Sequence, residues 1–256
     1  MMLDRILDST RSRLPDLVMR TDDIVRQATE APPPPPLAAA LRGDTLTVIA
    51  EVKRRSPSRG PLDLDLDPVT QASRYAAGGA AGISVLTEPE FFSGSDADLT
   101  AVATATRLPV LRKDFTLEPV QVWEARALGA SAVLLIVAAL DDRQLRRLID
   151  AAEEAGLDAL VEVHTTEEAS RAVDAGAVFV GVNNRDLHTF DVDLATAENI
   201  APLLEGVAVT VAESGIFDSG DARRMADAGY DAVLVGEALV KADDPAALVS
   251  ALRVPR

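Results

Sequence analysis

The stretch Asp141-Asp-Arg-Gln-Leu-Arg-Arg-Leu-Ile-Asp-Ala-Ala-Glu-Glu-Ala-Gly-Leu-Asp-Ala-Leu-Val-Glu-Val163 contains the unit from which most of the chain is built. Leu145, Leu148, Ile149 and Ala152 recur at the spacing of one helical face, which predicts a helix over 141–156. Ala155-Gly156 ends it, glycine being the residue that accepts the left-handed C-cap, and Leu160-Val-Glu-Val163 follows as a short apolar strand. The same join recurs along the sequence. Ala77-Gly78-Gly79 precedes Ile83-Ser-Val-Leu86, Leu128-Gly129 precedes Ala132-Val-Leu-Leu-Ile136, Ala175-Gly176 precedes Val178-Phe-Val-Gly-Val182, and Ala228-Gly229 precedes Ala232-Val-Leu-Val235. Strands over 46–52, 110–111 and 207–211 bring the total to eight, with another helix over 67–80 between the first two. Strands of continuous apolar character suit a parallel sheet buried on both faces. Eight alternating strand–helix units in 256 residues predict an α/β protein of the (β/α)8 barrel class, a TIM barrel, with a doubly wound open sheet as the alternative.

The first 44 residues read differently. Leu3, Ile6, Leu7 and Leu14 fall at helical spacing, and Pro32 to Pro36 form a run that favours an extended polyproline II link. The expected organisation is a helical extension over 1–44 followed by a catalytic barrel over 45–256. The helix either covers one end of the core or helps to close a site.

Charge and composition narrow the function classes. Lys and Arg number 25 against 41 Asp and Glu, a net charge of −16 that argues against binding nucleic acid. There is no cysteine, which removes disulfides, thiolate nucleophiles and Cys-ligated metals, and two histidines, His164 and His188, argue against a His-rich metal site. The longest apolar run, 132–140, is far too short to cross a bilayer, and Asp4 and Arg5 interrupt any secretory signal. The expectation is a cytoplasmic protein with no membrane partner. Only Lys53, Lys113 and Lys241 among the 25 basic residues are lysine, the cation whose proton its surroundings can move most readily.

Barrel sites lie at the carboxyl ends of the strands. The sequence places Glu51 and Lys53, Thr87 and Glu88, Lys113 and Asp114, Glu162, Asn183 and Arg185, Glu213 and Ser214, and Gly236 and Glu237 there. Two of the three lysines therefore share one mouth, although such groups could equally be ion pairs that hold it together. Glu51 and Lys53, two apart on a strand, point to the same face. Ser214-Gly215 and Gly236-Glu237 end the last two strands at glycine before a helix start, the recurrent phosphate site of this fold. Lys53, Arg54, Arg55 and Arg59 form a local basic cluster suited to a phosphorylated small molecule. The loop over 56–67 is long enough to fold over a ligand. Phe91, Phe92 and Phe115 follow strand ends, where they either stack on an aromatic ring or fill core.

Several motifs in register resemble the indole-3-glycerol phosphate synthase family: Ile49-Ala-Glu-Val-Lys-Arg-Arg-Ser-Pro-Ser-Arg-Gly60, Ser84-Val-Leu-Thr-Glu88 with Phe91-Phe-Ser-Gly-Ser95, Leu111-Arg-Lys-Asp-Phe115, Leu160-Val-Glu-Val-His164, Gly181-Val-Asn-Asn-Arg-Asp-Leu187 and Ala212-Glu-Ser-Gly-Ile216. The match they belong to covers essentially residues 45 to 240, and the amino-terminal helix and proline link resemble the family's extra segment. The resemblance implies closure of the indole ring of 1-(2-carboxyphenylamino)-1-deoxyribulose 5-phosphate, with loss of carbon dioxide and water, in tryptophan biosynthesis. No cofactor or metal is implied, and the protein is expected to be a monomer or weak oligomer. By resemblance, Lys113 is the general acid at the ketone oxygen and Glu162 the carboxylate of the dehydration half. Lys53 holds anionic groups or donates a proton itself, and Glu51 and Asn183 position these groups, with Glu213 in support. Arg185 would face the anthranilate carboxylate, Ser56, Ser214, Gly215, Gly236 and Glu237 the phosphate, and Phe92, Phe115, Leu134 and Ile136 the aromatic ring. Ala238 and Thr165 depart from the family's usual serine and acidic residue. His164 is expected to pack or cap rather than to act. A lysine near Lys53, or one partly desolvated, is expected to have a lowered pKa. A Schiff-base aldolase is the competing enzymatic reading, since a lysine at a strand end could attack a carbonyl.

Overall fold

The computed structural model describes residues 2–187 and 189–256. The unit over 141–163 folds as its sequence indicates. The helix runs over Asp142–Ala155, capped by a reciprocal pair in which the Asp141 carboxylate accepts from Gln144 N at 2.8 Å and the Gln144 side chain accepts from Asp141 N at 3.0 Å. Gly156 ends it at φ 69°. Eight such units close into a barrel of parallel strands: β1 (Thr47–Val52), β2 (Gly82–Leu86), β3 (Val110–Lys113), β4 (Ala132–Ile136), β5 (Asp158–Val163), β6 (Phe179–Asn183), β7 (Val209–Glu213) and β8 (Ala232–Val235), the last pairing with the first.

Alternation along each strand separates two cores. Val48, Ala50 and Val52 of β1 pack outward under the helices, whereas Ile49 joins Leu111, Leu134, Leu160, Phe179 and Leu234 in a closed inner core. Each fully buried leucine of that inner layer contributes about 1.5–3 kcal/mol relative to an exposed one. Three strands run further than their apolar runs suggest. β3 extends to Lys113, β6 to Asn183 and β7 to Glu213, because pairing with neighbours carries the ladder past the hydrophobic stretch: Leu86 lies opposite Lys113 and Asn183 opposite Glu213. The polar ends are therefore fixed by strand backbone rather than left on loops.

The amino-terminal segment reaches both ends of the barrel. Helix α1 (Met2–Val18) buries Ile6, Leu7 and Thr10 at the carboxyl end. Helix α2 (Thr21–Glu30), which hydrophobic spacing did not reveal, buries Ile24 and Ala28 and packs on the helix Pro119–Ala127. Arg126 of that helix donates to the Ala31 and Pro32 carbonyls, each at 2.9 Å, and so anchors the proline link. At the amino end, Leu37 and Leu41 are fully buried in the inner core, and Ala38 N donates to Asp158 Oδ2 at 2.8 Å. No described helix is long and apolar enough to cross a membrane.

Candidate active site

The carboxyl ends of the strands surround one pocket, and every residue expected to act or bind lines it: Glu51, Lys53, Ser56, Phe92, Lys113, Phe115, Leu134, Ile136, Glu162, Asn183, Arg185, Glu213, Ser214, Gly215, Gly236 and Glu237. At its centre Lys113 Nζ donates to Glu162 Oε2 at 2.8 Å and to Glu213 Oε2 at 2.7 Å, three side chains delivered by β3, β5 and β7. Lys53 is paired with Glu51 on the same face of the β1 end. Two glycines make room for this arrangement. A side chain at Gly181 would collide with the Glu213 carboxylate, and one at Gly236 with Glu51 and Lys53.

The electrostatics differ from the expectation for Lys113. Burial alone favours the neutral amine, but Glu162, Glu213 and Glu51 outweigh it and hold the ammonium above the ordinary lysine range. The lowered value expected from the sequence fails because the nearest charges are two carboxylates in hydrogen-bond contact, while Lys53 is occupied by Glu51. Burial pushes Glu162 upward, yet Lys113 and His164 more than offset this and keep its carboxyl well below the usual range. Glu213 goes the other way. Burial, opposed by Lys113 but reinforced by Glu162 and Glu51, pushes it up to about 7, and its Oε1 is buried without a hydrogen-bond partner among the described residues.

Around this cluster the rim divides by chemistry. Phe92 and Phe115 stand 6.3 Å apart, ring centre to ring centre, above Leu134 and Ile136, an apolar wall on one side. Ser214 and Gly215 both adopt positive φ, 64° and 81°, so the β7 loop turns sharply into the pocket. The helix expected straight after Gly215 starts only at Ser219, and the Asp218 side chain already accepts from its first amides, Gly220 N and Asp221 N. After β8 the short helix Glu237–Lys241 does start at the rim, and its N-cap Gly236 brings no side-chain acceptor. The basic cluster also disperses. Arg54 pairs with Asp98 and donates to Leu66 O at 3.2 Å, Arg55 is exposed, and Arg59 donates to Glu237 Oε2 at 3.3 Å, leaving Lys53 as the member that lines the pocket. The loop after β1 forms a small ribbon, Arg55–Ser56 against Gly60–Pro61, with Ser56, Pro57 and Ser58 facing the pocket.

Glu88 and Asp114, although at strand ends, serve the scaffold. Glu88 caps Phe91 N and Phe92 N, and Asp114 accepts from Thr87 Oγ1 at 2.6 Å and Phe115 N at 2.8 Å. Phe91 lies outside the pocket, its ring 5.5 Å below the Arg5 guanidinium of α1. The sequence reading leaves the place of α1 open and omits Phe190 and Phe217. Met2, Leu3 and Ile6 of α1 roof the pocket, so the extension does line the site. Phe190, at φ 65°, and half-exposed Phe217 stand at its mouth; the rule that singled out Phe115, an aromatic shortly after a strand, would have found Phe217. His164, expected to pack or cap, is largely buried outside the pocket lining with its Nε2 3.4 Å from Glu162 Oε1. It shares a face with Glu162, two residues earlier on the strand. Among the described residues no group of three or more His, Cys, Asp or Glu side chains is arranged to hold a metal ion.

Comparison with known proteins extends this picture. The model of the family described as indole-3-glycerol phosphate synthase matches residues 3–252. Proteins of that name from Streptomyces griseus and Mycolicibacterium smegmatis are 51% and 50% identical over 252 residues, covering 98% of this chain and 94% and 93% of theirs. Among solved structures, thiamine phosphate pyrophosphorylase from Pyrococcus furiosus superposes with a TM-score of 0.61 at 21% identity, over 81% of this chain and 93% of that one. A 3-hexulose-6-phosphate synthase does so with a TM-score of 0.62 at 19% identity, over 81% and 98%. Those two likenesses are of fold. With sequence identity near one half along almost its whole length, the chain belongs to the indole-3-glycerol phosphate synthase family.

Proposed function

We propose the following division of labour for the indole ring closure that this family carries out on its phosphorylated substrate. The observation that carries it is the Lys113 ammonium, largely shielded from solvent and shared between Glu162 and Glu213 in the middle of the rim. The phosphate sits against Ser56, Ser214, Gly215, Gly236 and Glu237, with Lys53 beside it, and the anthranilate ring lies against Phe92, Phe115, Leu134 and Ile136. Arg185, whose guanidinium donates to Phe190 O at 3.0 Å, faces the ring carboxylate. Held at both ends, the substrate is bent so that its ring carbon approaches the ketone carbon, the entropy cost being met by binding remote from the reaction.

The ring carbon bearing the carboxylate then attacks the ketone carbon, and Lys113 passes a proton to the ketone oxygen. The bond to the carboxylate breaks, carbon dioxide leaves, and its electron pair restores the aromatic ring. In the dehydration half the new hydroxyl takes a second proton and leaves as water, while Glu162 removes a proton from the neighbouring carbon to form the double bond of the five-membered ring. Ring closure and dehydration together need two protons delivered and one collected. Lys113 carries one and Glu213, with its carboxyl near 7, is placed to hold the other, while Glu162 stays ionised to collect. Glu51 and Asn183 orient these groups, and Lys53 steadies the anionic substrate. An amine kept as an ammonium by the ionised Glu162 has no free electron pair for a carbonyl carbon, which weighs against the Schiff-base alternative.

Incubating the protein with 1-(2-carboxyphenylamino)-1-deoxyribulose 5-phosphate tests the reading. Indole fluorescence should rise with wild type and be lost with Lys113→Met, and a borohydride-trapped adduct on Lys113 would instead support the aldolase.

A further inference from the structure

The ring closure gives His164 no task, yet its imidazole stands against the base. Its side chain is only 9% exposed, with Nε2 3.4 Å from Glu162 Oε1 and Nδ1 3.3 Å from Glu168 Oε2. Glu168 is itself fixed at the start of the helix Thr166–Asp174. Its Oε2 accepts the His164 backbone N–H at 2.7 Å, and its own N–H donates to Thr165 Oγ1 at 3.2 Å. One carboxylate thus holds both the main chain and the ring of His164, aiming the other ring nitrogen at the active site. Nε2 is buried with no hydrogen-bond partner among the described residues, and a shift of a few tenths of an ångström would complete a bond to Glu162. Lys113 takes the other oxygen of that carboxylate, Oε2. A carboxylate offers about four acceptor sites, so two donors still leave room for an incoming proton.

Resting on the ring-closure reading, we propose that His164 is a positioning residue for Glu162: clamped by Glu168, it holds Glu162 Oε1 so that the base keeps one orientation through the dehydration. The charged groups around it act in the same sense. Burial disfavours its charged form, but Glu168 and Glu162 at contact distance and Glu213 from β7 outweigh burial and raise its pKa, while Lys113 from β3 is neutralised by Glu162 and Glu213. As an imidazolium it also adds to Lys113 in keeping Glu162 ionised.

Two measurements test this. In His164→Leu, kcat should fall at least about tenfold with KM within about threefold, and the acid limb of the kcat profile should move up by roughly one pH unit, since Glu162 loses a neighbouring cation. His164→Gln, whose amide reaches Glu162 without charge, should recover part of kcat and none of the pH shift. A purely structural role would leave the acid limb in place. The second measurement needs no turnover. With two histidines in the sequence, the imidazole titration of His164 is separable by NMR from that of His188, and it should lie above the ordinary histidine range and fall in Glu162→Gln. An unmoved acid limb in His164→Leu, or a titration indifferent to Glu162→Gln, overturns the proposal. Absence of indole product from wild type together with a coupled titration overturns the ring-closure reading instead and leaves the link between His164 and Glu162 standing.

Discussion

Arg112 and Lys113 are adjacent on β3 and point to opposite sides of the barrel wall, Arg112 buried and Lys113 with only 12% of its side chain exposed. Outside the wall, Arg112 donates to Thr87 Oγ1 at 3.3 Å, Gln121 O at 3.2 Å and Asp96 Oδ1 at 2.9 Å, and pairs with Glu124 at 2.8 Å. Inside, Lys113 has two carboxylates and a pocket. The planar guanidinium matches a ring of fixed acceptors and stays protonated, which suits a clasp between strand and helices. The ammonium is a compact charge that can surrender a proton when its partners change. A chain with 22 arginines and three lysines uses lysine on the side of the wall where a proton has to move.

The sharpest way to break this contrast is to exchange the cation while keeping the charge. Lys113→Arg should lose about 10²-fold or more in kcat, as should Lys113→Met, because neither residue can deliver a proton. Substrate binding, read from a dissociation constant by fluorescence quenching, should stay within about tenfold for the arginine variant. A Lys113→Arg enzyme with near-normal kcat would mean that Lys113 supplies only charge. Glu162→Gln should depress kcat by about 10²-fold with a smaller change in affinity, and single-turnover experiments should show carbon dioxide released ahead of indole.

On the outer face the loss should be in stability and not in rate. Arg112→Met leaves the buried Asp114 and the partly shielded Glu124 without their cation and should cost about 3 kcal/mol in urea denaturation, while kcat per folded molecule stays within about threefold. A variant that folds as well as wild type but turns over poorly would show that the two faces of β3 are not separable.

The sequence exposes this division because strands alternate. Once Glu51, Lys113, Glu162, Asn183 and Glu213 are placed at strand ends, their inward direction follows from strand geometry, and all five line the pocket. The units were legible from local signals, a glycine closing the helix before five of the strands and an apolar run marking the other three. What stayed hidden was long-range. Nothing in the spacing of Leu3 and Ile6 says which end of the barrel α1 covers, and the seating of Leu37 and Leu41 under the inner core depends on the path of the link. The direction of the Lys113 shift differs from the expectation because it depends on distances to Glu162 and Glu213 that sequence order, 49 and 100 residues away, does not convey. His164 is largely buried just past the strand end, as a packing residue would be, and what sequence order does not convey is how close its ring comes to Glu162 once Glu168 holds it.

Glu213 gives a smaller effect that sharpens the inner half of the contrast. Its carboxyl is ordinary in the unfolded chain, near 4.5, and pushed up to about 7 in the folded one, so between those values the folded state holds the extra proton. Its contribution to stability is therefore present below about pH 4.5 and is lost as pH rises towards 7. Glu213→Gln has no such proton to lose. The stability of wild type relative to this variant should decline from pH 5 to pH 8 in urea titrations, and a flat or rising difference would mean that Glu213 is ionised throughout.

The smallest effect is expected where the same kind of ion pair lacks a wall to bury it. Arg224 engages Glu198 with two guanidinium nitrogens, Nη2 at 2.7 Å from Oε2, so by contact geometry it rivals Arg112. Its side chain is 45% exposed and that of Glu198 37%, against 6% for Arg112. Water and salt can replace the partner at Arg224 and cannot at Arg112, so the free energy of the pair follows from what surrounds it more than from its hydrogen bonds. Arg224→Ala should leave the urea midpoint and kcat indistinguishable from wild type at physiological salt. If it destabilised the protein as Arg112→Met does, burial would not be what separates the clasp on the outer wall from an ordinary surface pair, and the reading of β3 as a strand with one structural and one chemical cation would lose its physical basis.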